Sequence, residues 1–344
     1  MMVDGFAPNR AVLTAKDGII RGLKTGGILL RVMIPIYLIV VFLKYTPAIP
    51  AMQRFLVPAM RVFSLPGDAA VPIVAGVFSD EYGVVAAMSG FDFTTAQITT
   101  IAMIVLCFHT IPLEAAIGRQ IGFSPVKYTL YRLALAVLTG IFAGWLTGVM
   151  YGARGDAAVA SATALTTDSF GTDIFMHAPW DPAWASYGAP SPWHIMADEM
   201  LWGSLSVVFS LARVIIPLMI VIEFMLAYRV VERFVPKLVW LRRVIGVSDD
   251  ALLPLLIGLL MGVTYGAGTL MEINKRTPLS RRDFALIGIF LYACHGIIET
   301  TILFAVAGGS IFFVCFVRLL IAVLITAAAA RLPRFKTQEE NYFS

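Results

Sequence analysis

Residues 284–306 form an almost unbroken apolar run with a histidine and a glutamate in its middle, His295 and Glu299. A run of that length is enough to cross a bilayer, which takes ~20 apolar residues. An ionisable side chain at such depth is expensive, so it faces protein or water and has a task there. In an unbroken helix, four-residue spacing puts His295 and Glu299 on one face. A similar pair stands upstream, His109 and Glu114, in Cys107-Phe108-His109-Thr110-Ile111-Pro112-Leu113-Glu114.

Composition points the same way. Hydrophobic residues are 59% of the chain and charged residues 14%, against ~45–50% and ~25% in soluble domains, and the mean hydropathy is +0.83. The partner this demands is a lipid bilayer. The net charge of +4 comes from basic residues at the ends of apolar runs, the usual cytoplasmic excess. No basic face with groove-reading elements appears, which speaks against nucleic acid. Cys107, Cys294 and Cys315 all fall in expected spans and offer no extracellular disulfide framework. No cofactor motif, hydrolase elbow, phosphate-cradling loop or zinc-protease helix is present. A His/Glu intramembrane hydrolase would lack a nucleophile, so the chain is not expected to be an enzyme.

The second half of the chain lays over the first. Arg31-Val-Met-Ile-Pro35 matches Arg213-Val-Ile-Ile-Pro217. Tyr82-Gly83 matches Tyr265-Gly266, His109 matches His295, and Arg132-Leu-Ala-Leu-Ala-Val-Leu matches Arg318-Leu-Leu-Ile-Ala-Val-Leu. Apolar stretches match by chance, but Arg and His inside them do not. Each copy holds three spans and one glycine-broken hairpin, 66–88 and 249–270. An odd number of spans turns the second copy upside down. The expected fold is therefore all-α: a polytopic membrane protein of two inverted repeats, each of three transmembrane helices plus a re-entrant helical hairpin. Residues 1–24 form a cytoplasmic amphipathic N-terminus, 25–150 the first repeat, 151–200 an external loop and 201–332 the second repeat. Residues 333–344 are a cytoplasmic tail whose end reads as a tag remnant. Inverted repeats with broken helices are a transporter signature, with the site at the midplane.

The candidate site is His109, Glu114, His295 and Glu299, four side chains able to pass a proton, bind a cation or hold a polar solute. If a metal is held, these four are its ligands, with Cys107 and Cys294 near enough to add thiolates. Alternatively, they lock helix packing. The hairpin tips add Asp80 and Glu81, which favour a cation, a proton or hydroxyls, and Thr264 and Tyr265, where free amides would suit an anion. Arg31 and Arg213, in matching contexts before a proline, either bind an anionic group or snorkel. Arg132 and Arg318 can neutralise an acid, though Arg132 reads better as snorkelling. Glu223 and Glu272 read as exposed.

His295-Gly-Ile-Ile-Glu299-Thr-Thr-Ile-Leu-Phe304, with Gly308 and Arg318 behind it and His109-Thr-Ile-Pro-Leu-Glu114 before it, resembles the bacterial nucleoside-recognition, or Gate, membrane proteins. The resemblance runs from Gly26 to Arg331, leaving out 151–200. It implies kinship with ferrous-iron transporter membrane domains, spore maturation proteins and concentrative nucleoside transporters. The gate cysteine of the iron transporters has no match here and no GTPase accompanies the chain, so an ion gradient would supply the energy. The expected function is a proton- or ion-coupled secondary transporter for a small polar or anionic solute in a bacterial inner membrane. A divalent-metal permease and a non-transporting scaffold are the alternatives, and a homo-oligomer is compatible with all three. Both termini are expected in the cytoplasm, because the short external segments hold only Lys44, Arg54, Arg61 and Arg154. Cysteines placed in 151–200 should react with an impermeant thiol reagent from outside the cell. Labelling only after lysis would reverse the topology.

Overall fold

The computed structural model describes residues 8–46, 48–120, 124–151, 192–276 and 279–332, and the described residues contain helices and no strand. The expected loop at 151–200 and the tail at 333–344 therefore lie largely outside the described residues.

The first half comprises α1 (Pro8–Lys44), α2 (Ala48–Val62), α3 (Ala70–Phe78), α4 (Glu81–Met88), α5 (Thr95–Val105), α6 (Ile111–Gln120) and α7 (Pro125–Tyr151). A short helix, Pro192–Asp198, and a π-turn, Glu199–Gly203, lead into the second half. There follow α8 (Ser204–Ala227), α9 (Val239–Ile245), α10 (Asp249–Met261), α11 (Val263–Arg276), α12 (Arg281–Ala293), α13 (Ile297–Val306) and α14 (Arg318–Ala330). Among the described residues, four helical stretches are long and apolar enough to cross a membrane, and up to six if each of two bent pairs is counted as one span. The chain is thus an all-helical membrane protein. Broad apolar faces of α7 and α14, including Leu130, Leu138, Trp145, Leu320 and Leu324, are exposed, as lipid-facing surfaces must be.

Local sequence explains the breaks. The span begun by α5 opens on a capping box: Gln97 N–H donates to Thr94 Oγ1 and Thr94 N–H to Gln97 Oε1. The span begun by α12 opens on Ser280, whose hydroxyl oxygen accepts from Asp283 N–H at 3.0 Å. Both then stop short, α5 before 106–110 and α12 before 294–296. The sequence alone suggests one continuous helix over 284–306; the structure corrects this. Gly296 sits at φ +55°, a left-handed conformation that cannot continue a right-handed helix. Thr110 takes φ +45° at the matching point of the first half.

α3–α4 and α10–α11 are the two hairpins. Each is preceded by a helix lying nearly across it, at 92° in the first half and 102° in the second. Each hairpin lends a backbone carbonyl to the neighbouring break: Gly76 O accepts from Thr110 N–H at 2.9 Å, and Gly258 O from Gly296 N–H at 3.2 Å.

α1 and α8 pack antiparallel, with Gly18 against Ile220, Gly22 against Ile216 and Gly203 against Tyr37. Arg21 pairs with Glu223 at 2.7 Å at one end, and Lys44 with Glu199 at 2.9 Å at the other. Glu223 is therefore paired rather than a bare surface acid. α1 also runs through residue 24 without the boundary expected there, because the contacts of Gly18 and Gly22 dock its first half on α8. The Glu199–Gly203 π-turn frees Glu199 O to accept from Tyr37 Oη at 3.3 Å.

Gly144 and Gly148 on α7 make a controlled comparison. A Cβ on Gly144 would stand 2.1 Å from Phe63 O, a backbone atom that cannot swing away, whereas one on Gly148 would meet nothing within 4 Å. Gly144→Ala should lower stability by about 1–3 kcal/mol. Gly148→Ala should leave it unchanged or slightly raised. Thermal melting of the two variants in detergent checks both.

Candidate functional site

An interrupted helix frees carbonyls on one side of the break and amides on the other, and inside a membrane both need partners. Two buried arginines serve the carbonyls. Arg132 donates from Nε to Cys107 O at 2.9 Å and from Nη2 to His109 O at 3.0 Å. Arg318 donates from Nε to Ala293 O at 3.0 Å and from Nη2 to His295 O at 3.2 Å. The remaining nitrogen goes to the first turn of the next half-helix, Arg132 Nη1 to Glu114 Oε2 at 2.7 Å and Arg318 Nη1 to Thr300 Oγ1 at 3.0 Å. One sequence offset separates Arg132 from Arg318, His109 from His295 and Glu114 from Thr300. The residue matching Glu114 is therefore Thr300, not Glu299. The two His–Glu pairs of the sequence are not copies of one another, and His295 lies in the break rather than on a helix face shared with Glu299.

The breaks bring the histidines together, their ring centroids 5.2 Å apart. His109 Nδ1 donates to Val105 O at 3.0 Å and His295 Nδ1 to Leu291 O at 2.7 Å. A carbonyl only accepts, so Nδ1 carries a proton, and in the neutral form of each ring Nε2 is left with a bare lone pair. His109 Nε2 lies 3.4 Å from Glu114 Oε1 and 3.5 Å from Glu81 Oε2, and His295 Nε2 lies 3.8 Å from the same Glu114 oxygen. Glu299 joins through Tyr82, which donates its phenolic proton across from α4. His109, Glu114 and His295 are all buried and form a group able to hold a metal ion.

Of the expected residues, His109, Glu114, His295 and Glu81 converge, and Glu299 lies one hydrogen bond away through Tyr82. Asp80 caps α4, accepting from Gly83 N–H at 2.9 Å, and it lies within electrostatic reach of Glu81. The side chains of Thr264 and Tyr265 lie outside the described residues. Arg31 and Arg213 are exposed on α1 and α8, away from the buried group. Burying a guanidinium needs carbonyls to receive it, and α1 and α8 have no mid-membrane break at these positions. Cys107 and Cys294 are buried beside the breaks, where the Cys107 sulfur accepts from Thr139 at 3.7 Å. Neither thiol belongs to the metal-competent group. Tyr82, Arg132, Arg318 and Thr300 are the participants that residue-by-residue reading undervalues. The offset shared by the arginines and histidines was the signal for two of them.

The halves are bonded to each other here. Tyr292 Oη donates to Glu114 O at 3.1 Å, its ring lying 5.1 Å from the Arg132 guanidinium, and Tyr131 Oη donates to Ile289 O at 3.0 Å.

A family model described as nucleoside recognition, Gate, matches residues 28–124 and 208–329, two segments that each contain one break. A Bacillus subtilis (strain 168) protein described as the uncharacterized membrane protein YvoD is 28% identical over 315 residues, covering 91% of this chain and 93% of that one. No solved structure matches the chain.

Arg318→Met removes four buried hydrogen bonds while keeping most of the side-chain volume. The carbonyls left behind should cost roughly 3 kcal/mol or more in stability. Arg331→Met, at an exposed helix end, should cost little. Melting temperatures of the two purified variants give the comparison.

Proposed function

The chain belongs to the nucleoside-recognition (Gate) family of membrane proteins, and from that premise we propose that it is a secondary transporter whose midplane site is the His109–His295–Glu114–Glu81 group. The observation that carries this reading is the convergence of His109, Glu114 and His295 from two separate helix breaks on Glu81 from the first hairpin, with Tyr82 bridging to Glu299. Polar groups set in broken helices at the junction of two halves are what a transported species meets in proteins of this kind.

The inverted arrangement of the halves belongs to the same proposal. Its support is that α1 and α8, which occupy matching places in the two halves, run antiparallel. The contacts that pair Gly18 with Ile220 and Tyr37 with Gly203 follow that direction. The distribution of basic residues supports a bacterial inner-membrane setting with both termini in the cytoplasm.

The charge of the site narrows the solute. Four carboxyl groups, on Asp80, Glu81, Glu114 and Glu299, meet two guanidiniums, and both imidazoles present lone pairs. This surplus works against the anionic half of the expectation and favours a cation, a proton, or a neutral polar solute rich in donors. The family description names nucleosides, whose hydroxyls and base N–H groups suit carboxylate acceptors. Proton or cation binding at the same carboxylates supplies the coupling.

A thermal-shift panel of nucleosides, polyols, organic cations and organic anions identifies the solute, and uptake into proteoliposomes then tests the site. Glu299→Gln should lower uptake about tenfold or more, the worth of one charge-assisted hydrogen bond, or abolish its dependence on pH. Its melting temperature should stay close to that of the parent. Uptake by the variant equal to wild type at every pH removes Glu299 from the mechanism. Silence across the whole panel favours the scaffold reading.

A further inference from the structure

We propose that His109 Nε2, His295 Nε2 and Glu114 Oε1 form a binding site for a divalent first-row transition ion, with the Glu81 carboxyl beside it, 3.5 Å from His109 Nε2. The inference deepens the transport reading by naming the ion handled at that site. It rests on that reading for the ion being moved, and on the donor geometry for its being bound.

Orientation is the first support. Both rings give their Nδ1 proton to a backbone carbonyl, of Val105 and Leu291, and so fix the tautomer that exposes Nε2 to the cluster. Metal-binding histidines are held in this way, by a hydrogen bond from the nitrogen that does not ligate. Glu114 is divided similarly. Its Oε2 faces Arg132 at 2.7 Å, which leaves Oε1 directed at both imidazoles.

Spacing is the second. Bonds of ~2.0–2.2 Å at tetrahedral angles place neighbouring donors about 3.4 Å apart. The donor separations are 3.4 Å for His109–Glu114, 3.5 Å for His109–Glu81 and 3.8 Å for His295–Glu114. The two nitrogens and the Glu114 oxygen lie within 4.8 Å of one another. Lone pairs facing one another at these distances, buried from water, call for a positive centre between them.

Charge is the third. Four carboxyl groups, on Asp80, Glu81, Glu114 and Glu299, stand about the site against the two guanidiniums of Arg132 and Arg318, so loss of carboxyl protons on binding can balance the charge of one divalent ion. Two imidazoles and a carboxylate suit Zn²⁺, Fe²⁺, Co²⁺ or Ni²⁺, whereas Ca²⁺ and Mg²⁺ take oxygen shells.

The test uses tag-free protein in detergent, stripped with a chelator and titrated with Co²⁺ and then Zn²⁺. The expected result is one equivalent bound per chain. Co²⁺ should show the visible bands of a low-coordinate nitrogen–oxygen site, and Zn²⁺ should bleach them. His109→Gln and His295→Gln should each lose the bands. Glu81→Gln, which keeps both imidazoles and the Arg132 pair, should retain them with affinity weakened about tenfold or more. Size exclusion and melting establish that each variant is folded. If a histidine variant fails to fold, the Glu81→Gln shift in affinity decides. Folded wild-type protein that shows no bands overturns the site, as do bands unchanged in Glu81→Gln and in any folded histidine variant. Uptake of an organic solute by protein that binds no metal would overturn this inference and leave the transport reading intact. Stoichiometric binding without flux of metal or solute would uphold the site and remove transport.

Discussion

A guanidinium lying against the open end of a broken helix holds this protein together at its centre. Carbonyls freed in the buried interior of a membrane protein have no water to turn to, and each left unpaired costs about 1–3 kcal/mol. Arg132 gathers two such carbonyls and Arg318 three, the third being Leu106 O in the break of the first half at 3.5 Å, and each reaches across the gap to the first turn of the following half-helix. The planar fork makes this possible, since its N–H groups point outward in fixed directions. Lysine could offer the charge but not the span. Without these arginines the breaks would be too costly to keep, and without the breaks the two histidines would be turned along separate helix faces instead of toward each other.

The rest of the fold is arranged so that the breaks can persist. The hairpins lend Gly76 O and Gly258 O to the amides that begin the second half-helices. Tyrosines from each half bond to backbone of the other beside the same arginines. Farther out, α1 and α8 are joined near both ends by ion pairs. Polar satisfaction at the centre and small-residue packing around it are thus separate devices. Gly144 against the Phe63 carbonyl belongs to the second.

Much of this was legible in the residues. Helical class, membrane setting and the positions of both hairpins follow from hydropathy, although the first hairpin turns at Ser79-Asp80 with Gly76 and Gly83 inside its helices, and the burial of His109, Glu114 and His295 follows from polar residues set in apolar runs. The breaks were harder to see, because 284–306 reads as one apolar helix. Only a left-handed Gly296 and a carbonyl from a hairpin thirty-odd residues upstream interrupt it. The sequence favours snorkelling for Arg132, since an arginine's acceptors are backbone atoms and leave no trace in side-chain pattern. Arg31 and Arg213 misled for the opposite reason. Their contexts match between the halves, but a matching context says nothing of whether a carbonyl is waiting. Tyr82 was visible as part of a matched Tyr-Gly pair, yet its partner Glu299 belongs to the other half of the chain.

The two breaks differ in one respect that bears on what can rest between them. Arg132 meets a carboxylate where Arg318 meets a hydroxyl, Glu114 against Thr300. Two identical halves would have offered a ligand two equivalent ends and no preferred way to lie. Here the negative charge of that position sits on one side alone, so the site has a head and a tail. An ion bound there would sit off centre, drawn toward the first half. Anything held between the breaks meets a carboxyl group on one side and a hydroxyl on the other.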